Sequence, residues 1–306
     1  MNLIRNYLLL FVFIITGCTV GSQEDEQGII VSADWLQDQI DDPTYAILHV
    51  GTWEGFDSIH IPGARHIDPY DFAQSTDSLN NELPQMDTIV ALLRAAGVGN
   101  DSRVVLYYEN ERLISRTARV FVTLDYAGMG DRTSVLNGGL PGWIEEERET
   151  THIPTDVMEG DLRPGDPQEV IIRAHQLDQQ RWNPEYVIVD TRSTEEYYGE
   201  IDSTGIIATG GHLEGAQFLS YNSNLSESNP HMFKEDDQLK AQLEKVGMDP
   251  NKTAVYYCGS GIRASVSYLV SRHLGYPALL YDGSFQEWEE LGLPLTSPVI
   301  EPLNLD

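Results

Sequence analysis

One set of short motifs occurs twice along this chain, in the same order. Val31-Ser-Ala-Asp-Trp-Leu36 answers to Ile172-Arg-Ala-His-Gln-Leu177, and Ala46-Ile-Leu-His-Val50 to Val187-Ile-Val-Asp-Thr191, each pair 141 residues apart. His60-Ile-Pro-Gly-Ala64 and His212-Leu-Glu-Gly-Ala216 stand 152 apart, so the second copy carries 11 extra residues, which we place within 200–211. Val104-Val-Leu-Tyr-Tyr108 returns as Ala254-Val-Tyr-Tyr-Cys258, and Leu136-Asn-Gly-Gly-Leu-Pro-Gly-Trp143 as Tyr281-Asp-Gly-Ser-Phe-Gln-Glu-Trp288. A motif series that repeats at this length means one fold used twice. Each copy alternates short β-branched runs with amphipathic stretches such as Gln238-Leu-Lys-Ala-Gln-Leu-Glu-Lys245. Apolar strands joined through helices predict an α/β fold, a parallel sheet covered by helices on both faces. The repeat gives domains over 29–147 and 169–298 and a tail over 299–306. Residues 148–168, with Pro154, Pro164 and Pro167 and little periodicity, read as the linker.

The N-terminus reads as an address rather than as structure. Arg5 and the apolar run Leu8 to Ile15 fit a signal peptide over 1–17, too short for a comfortable membrane span. Ile15-Thr-Gly-Cys18 resembles a bacterial lipobox, which makes Cys18 the lipidated first residue of the mature chain, followed by a polar tether over 19–28. Thr19 stands where an inner-membrane retention signal has Asp, so the expected location is the outer membrane, facing the periplasm. The chain has two cysteines, so acylation of Cys18 leaves Cys258 with nothing to pair with and excludes a structural disulfide.

Cys258 therefore draws attention as chemistry. It ends an apolar strand, Val255-Tyr-Tyr, and opens the loop Cys258-Gly-Ser-Gly-Ile-Arg263 ahead of the helical stretch Ala264 to Val270. Backbone N–H groups of such a loop, with the positive end of the helix, stabilise an anion at the sulfur. In α/β sheets ligands also bind at the carboxyl ends of strands, where Cys258 lies. The net charge of -29 argues against nucleic acid as a partner and makes any arginine near the loop important for an anionic substrate.

Taken together, these motifs resemble the tandem-domain rhodanese family, the thiosulfate and 3-mercaptopyruvate sulfurtransferases. His60 to Ala64, Gly138 to Trp143, Asp190-Thr-Arg-Ser193, Gly211-His-Leu-Glu-Gly215, the Cys258 loop and Asp282-Gly-Ser284 with Trp288 carry the resemblance over nearly all of the chain after the tether. It implies an inactive first domain, with Tyr108 where the second has Cys258, and a Cys258 persulfide that takes sulfur from a small anionic donor. Cyanide, a thiol or a thiol protein would be the acceptor, and no metal or organic cofactor is implied. Gly259, Ser260, Gly261, Ile262 and Arg263 would surround the sulfur, and Arg192 would meet the donor's carboxylate or sulfonate; otherwise Arg192 forms a surface pair with Glu195 or Glu196. The Gly259-Ser260-Gly261 run is similar to mercaptopyruvate-type loops, in which a serine assists proton transfer, whereas Arg263 is similar to single-domain thiosulfate enzymes, so the preferred donor stays open.

The residues also allow two other functions. Phosphatases and arsenate reductases use a cysteine loop ending in arginine, but one with more residues between the two than separate Cys258 from Arg263. A membrane-anchored persulfide carrier or thiol sensor needs only the exposed thiolate. Asp190 is expected to fix its loop by hydrogen bonds, His60 and His212 to make structural contacts, and Trp143 and Trp288 to anchor the two cores. Trp53 is expected at a cleft wall or a domain interface.

Overall fold

The computed structural model describes residues 28–76, 79–199 and 211–296. The expectations for the signal peptide, Cys18, nearly all of the tether, the C-terminal tail and most of the 200–211 insertion lie outside the described residues.

The first domain carries strands β1 (Ile30–Val31), β2 (Tyr45–Val50), β3 (Arg65–Ile67), β4 (Arg103–Tyr108) and β5 (Thr133–Leu136). The second carries β6 (Ile171–Ile172), β7 (Tyr186–Asp190), β8 (His212–Leu213), β9 (Gln217–Phe218), β10 (Thr253–Tyr257), β11 (Ala278–Tyr281) and β12 (Leu295–Thr296). Their sheets run β1-β5-β4-β2-β3 and β6-β11-β10-β7-β9, with every pair parallel. The short β8 and β12 pair antiparallel beside the second sheet. Helices α1 (Ala33–Gln39), α2 (Trp53–Ser58), α3 (Met86–Ala95), α4 (Ile114–Tyr126) and α5 (Gly139–Glu145) belong to the first copy. The second copy has α6 (Ala174–Gln180), α7 (Thr194–Tyr198), α8 (Asp236–Lys245), α9 (Ala264–His273) and α10 (Ser284–Glu290). The fold is two parallel α/β domains, as the repeat predicts.

The central strands show why a continuous apolar run was needed. Side chains alternate across a strand, so Val104, Leu106 and Tyr108 of β4 enter one buried cluster while Val105 and Tyr107 enter another on the opposite face. In β10, Ala254, Tyr256 and then Cys258 turn to the first cluster, and Val255 and Tyr257 to a third. The first cluster is common to both domains. Helices α4 and α9 pack against each other within it, and buried Asp125 of α4 accepts bonds from Tyr268 Oη (2.7 Å) and Arg272 Nε (2.8 Å) of α9. Trp143 and Trp288 are fully buried in the two outer clusters.

Residues 152–170 form no helix or strand. They are laid along the first domain: Arg94 Nε donates to the Leu162 carbonyl at 2.6 Å, Asn100 N to Asp161 Oδ1 at 3.1 Å, and Leu162 itself is buried.

Candidate active site

Cys258 leaves β10 on the face shared by the two domains and is 1% exposed. Its loop is gripped from the side of α10. Cys258 N donates to Ser284 Oγ (3.2 Å), Phe285 N to the Cys258 carbonyl (3.0 Å) and Gln286 N to the Gly259 carbonyl (3.2 Å). The Asp282 to Phe285 turn thus supports the loop through named bonds. Gly261 has φ +81°, and a Cβ there would meet the Asp282 carbonyl and Oδ1 at 3.0 Å, so glycine is required on both counts. The backbone amides of residues 259–263 have no hydrogen-bond acceptor among the described residues. Such unpaired N–H groups are a ready partner for an anion. Gly259, Ser260 and Arg263, which flank buried Cys258 in the loop, are partly exposed.

Arg263 and Arg192 are each held by a carboxylate of the second domain. Ser193 and Glu196 form a capping box at the start of α7, with Glu196 Oε2 accepting from Ser193 N at 3.0 Å. The same carboxylate takes Arg263 Nη1 at 2.6 Å and Nη2 at 2.8 Å. Burial works to lower the Arg263 pKa, but the Glu196 hydrogen bonds and the charge of Cys258 outweigh it and raise it, so the cation persists over the loop. Burial likewise works to raise the Glu196 pKa, and Arg263 with Ser193 N–H pulls it below the ordinary value.

Arg192 forms no surface pair with Glu195 or Glu196. It is 3% exposed and bonded to Asp190, Nε at 3.1 Å to both oxygens and Nη2 at 2.7 Å to Oδ2, with Nη2 also donating to the Gly211 carbonyl at 2.6 Å. Its guanidinium carbon lies 4.0 Å from the centre of the Phe285 ring. Arg192 therefore backs the residue that grips the Cys258 carbonyl. Asp190 also accepts from Arg192 N and from Tyr257 Oη, at 2.9 and 2.7 Å, which makes it the organiser of this strand end.

The first domain supplies a second wall, built from residues that the sequence does not single out. Asn81 Nδ2 donates to Ser260 Oγ at 2.9 Å, Leu83 N to Asp282 Oδ2 at 3.0 Å, and Asn80 Nδ2 to Gln286 Oε1 at 3.2 Å. Arg119 of α4 is fully buried and reaches across to Asp282 at 2.5 Å. Beside them burial, reinforced by the charge of Asp282, pushes the Glu82 pKa up to about 7. No local motif marks residues 80–83. The one signal available was an αL-compatible Asn-Asn pair before Leu83-Pro84 in a loop of the scaffold domain.

The first domain's equivalent site is filled. Tyr108 occupies the cysteine position, is fully buried and donates from Oη to the His231 carbonyl of the second domain. Gly139 stands where the second copy has Ser284, and a Cβ there would strike the Tyr108 ring at 2.3 Å. His49 and Tyr107 (3.0 Å) replace Asp190 and Tyr257. His60 and His212 bond to the carbonyls of Phe56 (2.6 Å) and Tyr197 (3.1 Å), contacts that position turns. Trp53 is half exposed and packs on Phe56 and His66 of its own domain.

Two tandem parallel α/β units, with a cysteine loop at the end of the second unit's central strand, are the arrangement of the rhodanese class. The model of the rhodanese-like domain matches residues 32–146 and 173–291, and the chain belongs to this family. The sulfur carrier protein TtuD of Thermus thermophilus is 31% identical over 291 residues, covering 87% of this chain and 96% of TtuD. A thiosulfate sulfurtransferase of Azotobacter vinelandii is 27% identical over 261 residues, covering 85% and 93%. The crystal structure of SseA from Escherichia coli, a 3-mercaptopyruvate sulfotransferase, superposes with a TM-score of 0.71 at 25% identity, covering 85% of this chain and 99% of SseA.

Proposed function

We propose that this sulfurtransferase carries sulfane sulfur on Cys258, taking it from thiosulfate or 3-mercaptopyruvate and handing it to cyanide or a thiol. The Cys258 thiolate attacks the donor's outer sulfur, and the bond that breaks leaves its electron pair on sulfite or on the pyruvate carbon. The acceptor then attacks the terminal sulfur and the electron pair of that S–S bond returns to Cys258. The observation that carries this reading is the run of backbone amides over 259–263, without acceptors among the described residues, together with Arg263 held over the same loop. A persulfide anion is stabilised there by groups already in place. Arg192 serves the loop from behind Phe285. The test is cyanide-dependent sulfur release from each donor, with Cys258→Ala in parallel. Cysteine-dependent turnover supports the reading, and turnover that survives Cys258→Ala sinks it.

The relationship to TtuD favours a second reading, a carrier that passes its persulfide to a protein thiol. Persulfide that forms on Cys258 and moves to a thiol protein, with little cyanide turnover, would identify it. We also propose export and acylation at Cys18. Incorporation of labelled palmitate that is lost in Cys18→Ala, with membrane fractionation, tests both.

A further inference from the structure

Ser260 has one hydrogen-bond partner among the described residues, and it comes from the other domain. Asn81 Nδ2 lies 2.9 Å from Ser260 Oγ, and Asn81 Oδ1 lies 2.9 Å from Arg116 Nη1. Guanidinium can only donate, so the Asn81 oxygen must face Arg116 and its NH2 must face Ser260. Ser260 Oγ is thereby the acceptor in that bond. The serine's own hydrogen has no acceptor among the described residues and is left for a ligand. Asn81 is built to hold this position. Its backbone is left-handed at φ +64°, a conformation that asparagine tolerates better than most residues, and its carbonyl accepts from Arg119 Nη2.

We propose that Asn81 is a positioning residue supplied by the first domain, which commits the Ser260 hydroxyl to donating to an oxyanion of the bound sulfur donor. This rests on the sulfurtransferase reading and resolves the donor that the sequence left open. When Cys258 attacks thiosulfate, the S–S bond breaks, sulfite leaves with the electron pair and no proton moves. When it attacks 3-mercaptopyruvate, the C–S bond breaks and the carbon left with the pair must gain a proton to become pyruvate. An amide can neither supply nor relay that proton to Ser260. Glu82, the neighbouring acid, is turned toward Asp282 and Arg173. The Asn81 and Ser260 arrangement therefore fits a sulfonate donor that departs with its charge.

The experiment measures kcat/KM for both donors, with cyanide as acceptor, in the parent, Asn81→Asp, Ser260→Ala and the double variant. Asn81→Asp still accepts from Arg116 but cannot donate, so the serine hydroxyl turns to the new carboxylate. The parent is expected to favour thiosulfate by about tenfold or more, and Asn81→Asp to lose about tenfold in thiosulfate kcat/KM, mainly through KM. In the Ser260→Ala background the same change should cost less than about twofold, because its route is gone. Equal losses in both backgrounds would show that Asn81 acts apart from Ser260 and would overturn the proposal, as would a parent that favours 3-mercaptopyruvate. Asn81→Gly, which keeps the left-handed backbone, repeats the comparison if the aspartate variant folds poorly. Iodoacetamide labelling of Cys258 at the parental rate certifies the loop. A parent with no cysteine-dependent turnover from either donor would defeat the underlying reading instead, a different result from turnover without coupling.

Discussion

Cys258 gives its amide proton to Ser284 Oγ at 3.2 Å, and Ser284 passes its own hydrogen to the Tyr281 carbonyl at 2.8 Å. Ser284 does this from a left-handed backbone, φ +54°, the same angle that its counterpart Gly139 holds beneath the Tyr108 ring. One backbone corner has been kept in both domains. In one it makes room for a tyrosine that fills the site, and in the other it anchors a cysteine.

This pairing predicts an ordering of variants. Ser284→Ala loses the buried acceptor and keeps the strained angle, and should cost about 1–3 kcal/mol. Ser284→Gly loses the acceptor but relaxes the angle, and should be about 1 kcal/mol more stable than the alanine variant. Urea unfolding of the two proteins measures the difference. Equal stabilities would mean that the left-handed angle carries no cost here.

Arg192 and Asp190 form a pair shielded from water, at 3% and 0% exposure. Removing one partner of such a pair leaves a buried charge, at a cost of about 3 kcal/mol or more. Arg192→Ala is therefore expected to lower the unfolding midpoint as its leading effect, and to slow turnover through a looser Phe285. Unchanged stability with a raised KM for the donor would return Arg192 to direct contact with substrate.

Arg119 and Asp282 join the two domains beside the Cys258 loop, both almost wholly buried. Arg119→Met alone should cost about 3 kcal/mol or more, and Asp282→Asn alone a similar amount, each leaving an uncompensated charge. The double variant should be much closer to the parent than the sum of the two. A double-mutant cycle by chemical unfolding reads the coupling, and simple additivity would show that the contact is not an energetic pair.

The sequence made the architecture legible because the duplicated strands and turns each use local rules. Apolar runs such as Val104 to Tyr108 must lie in a sheet covered on both faces, and Ser193 with Glu196 spells a helix start. Cys258 was legible for the same reason, since its strand, loop and helix are contiguous. The partners of that loop were not. Asn81 is 179 residues from Ser260 and Arg119 lies in a helix whose partner is found only once the domains dock. The surface pair expected for Arg192 fails because its carboxylate partner, Asp190, lies two residues back and buried, whereas the visible acids, Glu195 and Glu196, follow it in the chain. Glu196 was spent on Arg263.

Glu82 makes the interface sensitive to pH. Its carboxyl rises from an ordinary 4.5 to about 7 through burial and the nearby Asp282 charge, against the pull of Arg173 at 3.6 Å and of Arg119. Its Oε1 has no hydrogen-bond partner among the described residues. Below pH 4.5 the carboxyl is protonated whether the chain is folded or not, and contributes no pH dependence. Between 4.5 and 7 the folded chain keeps a proton that the unfolded chain releases, so stability falls as pH rises, and above 7 the loss is complete. Glu82→Gln removes the charge and keeps the shape. It should match the parent at pH 4.5 and exceed it at pH 8, as urea unfolding at the two values would show. The adjacent Leu83 N–H bonds Asp282, and Asp282 abuts Gly261. Charge on Glu82 thus bears on the same aspartate that shapes the cysteine loop, and the variant should also lessen any decline in Cys258 turnover between pH 6 and 8. A constant stability gap across the pH range would remove Glu82 as the source.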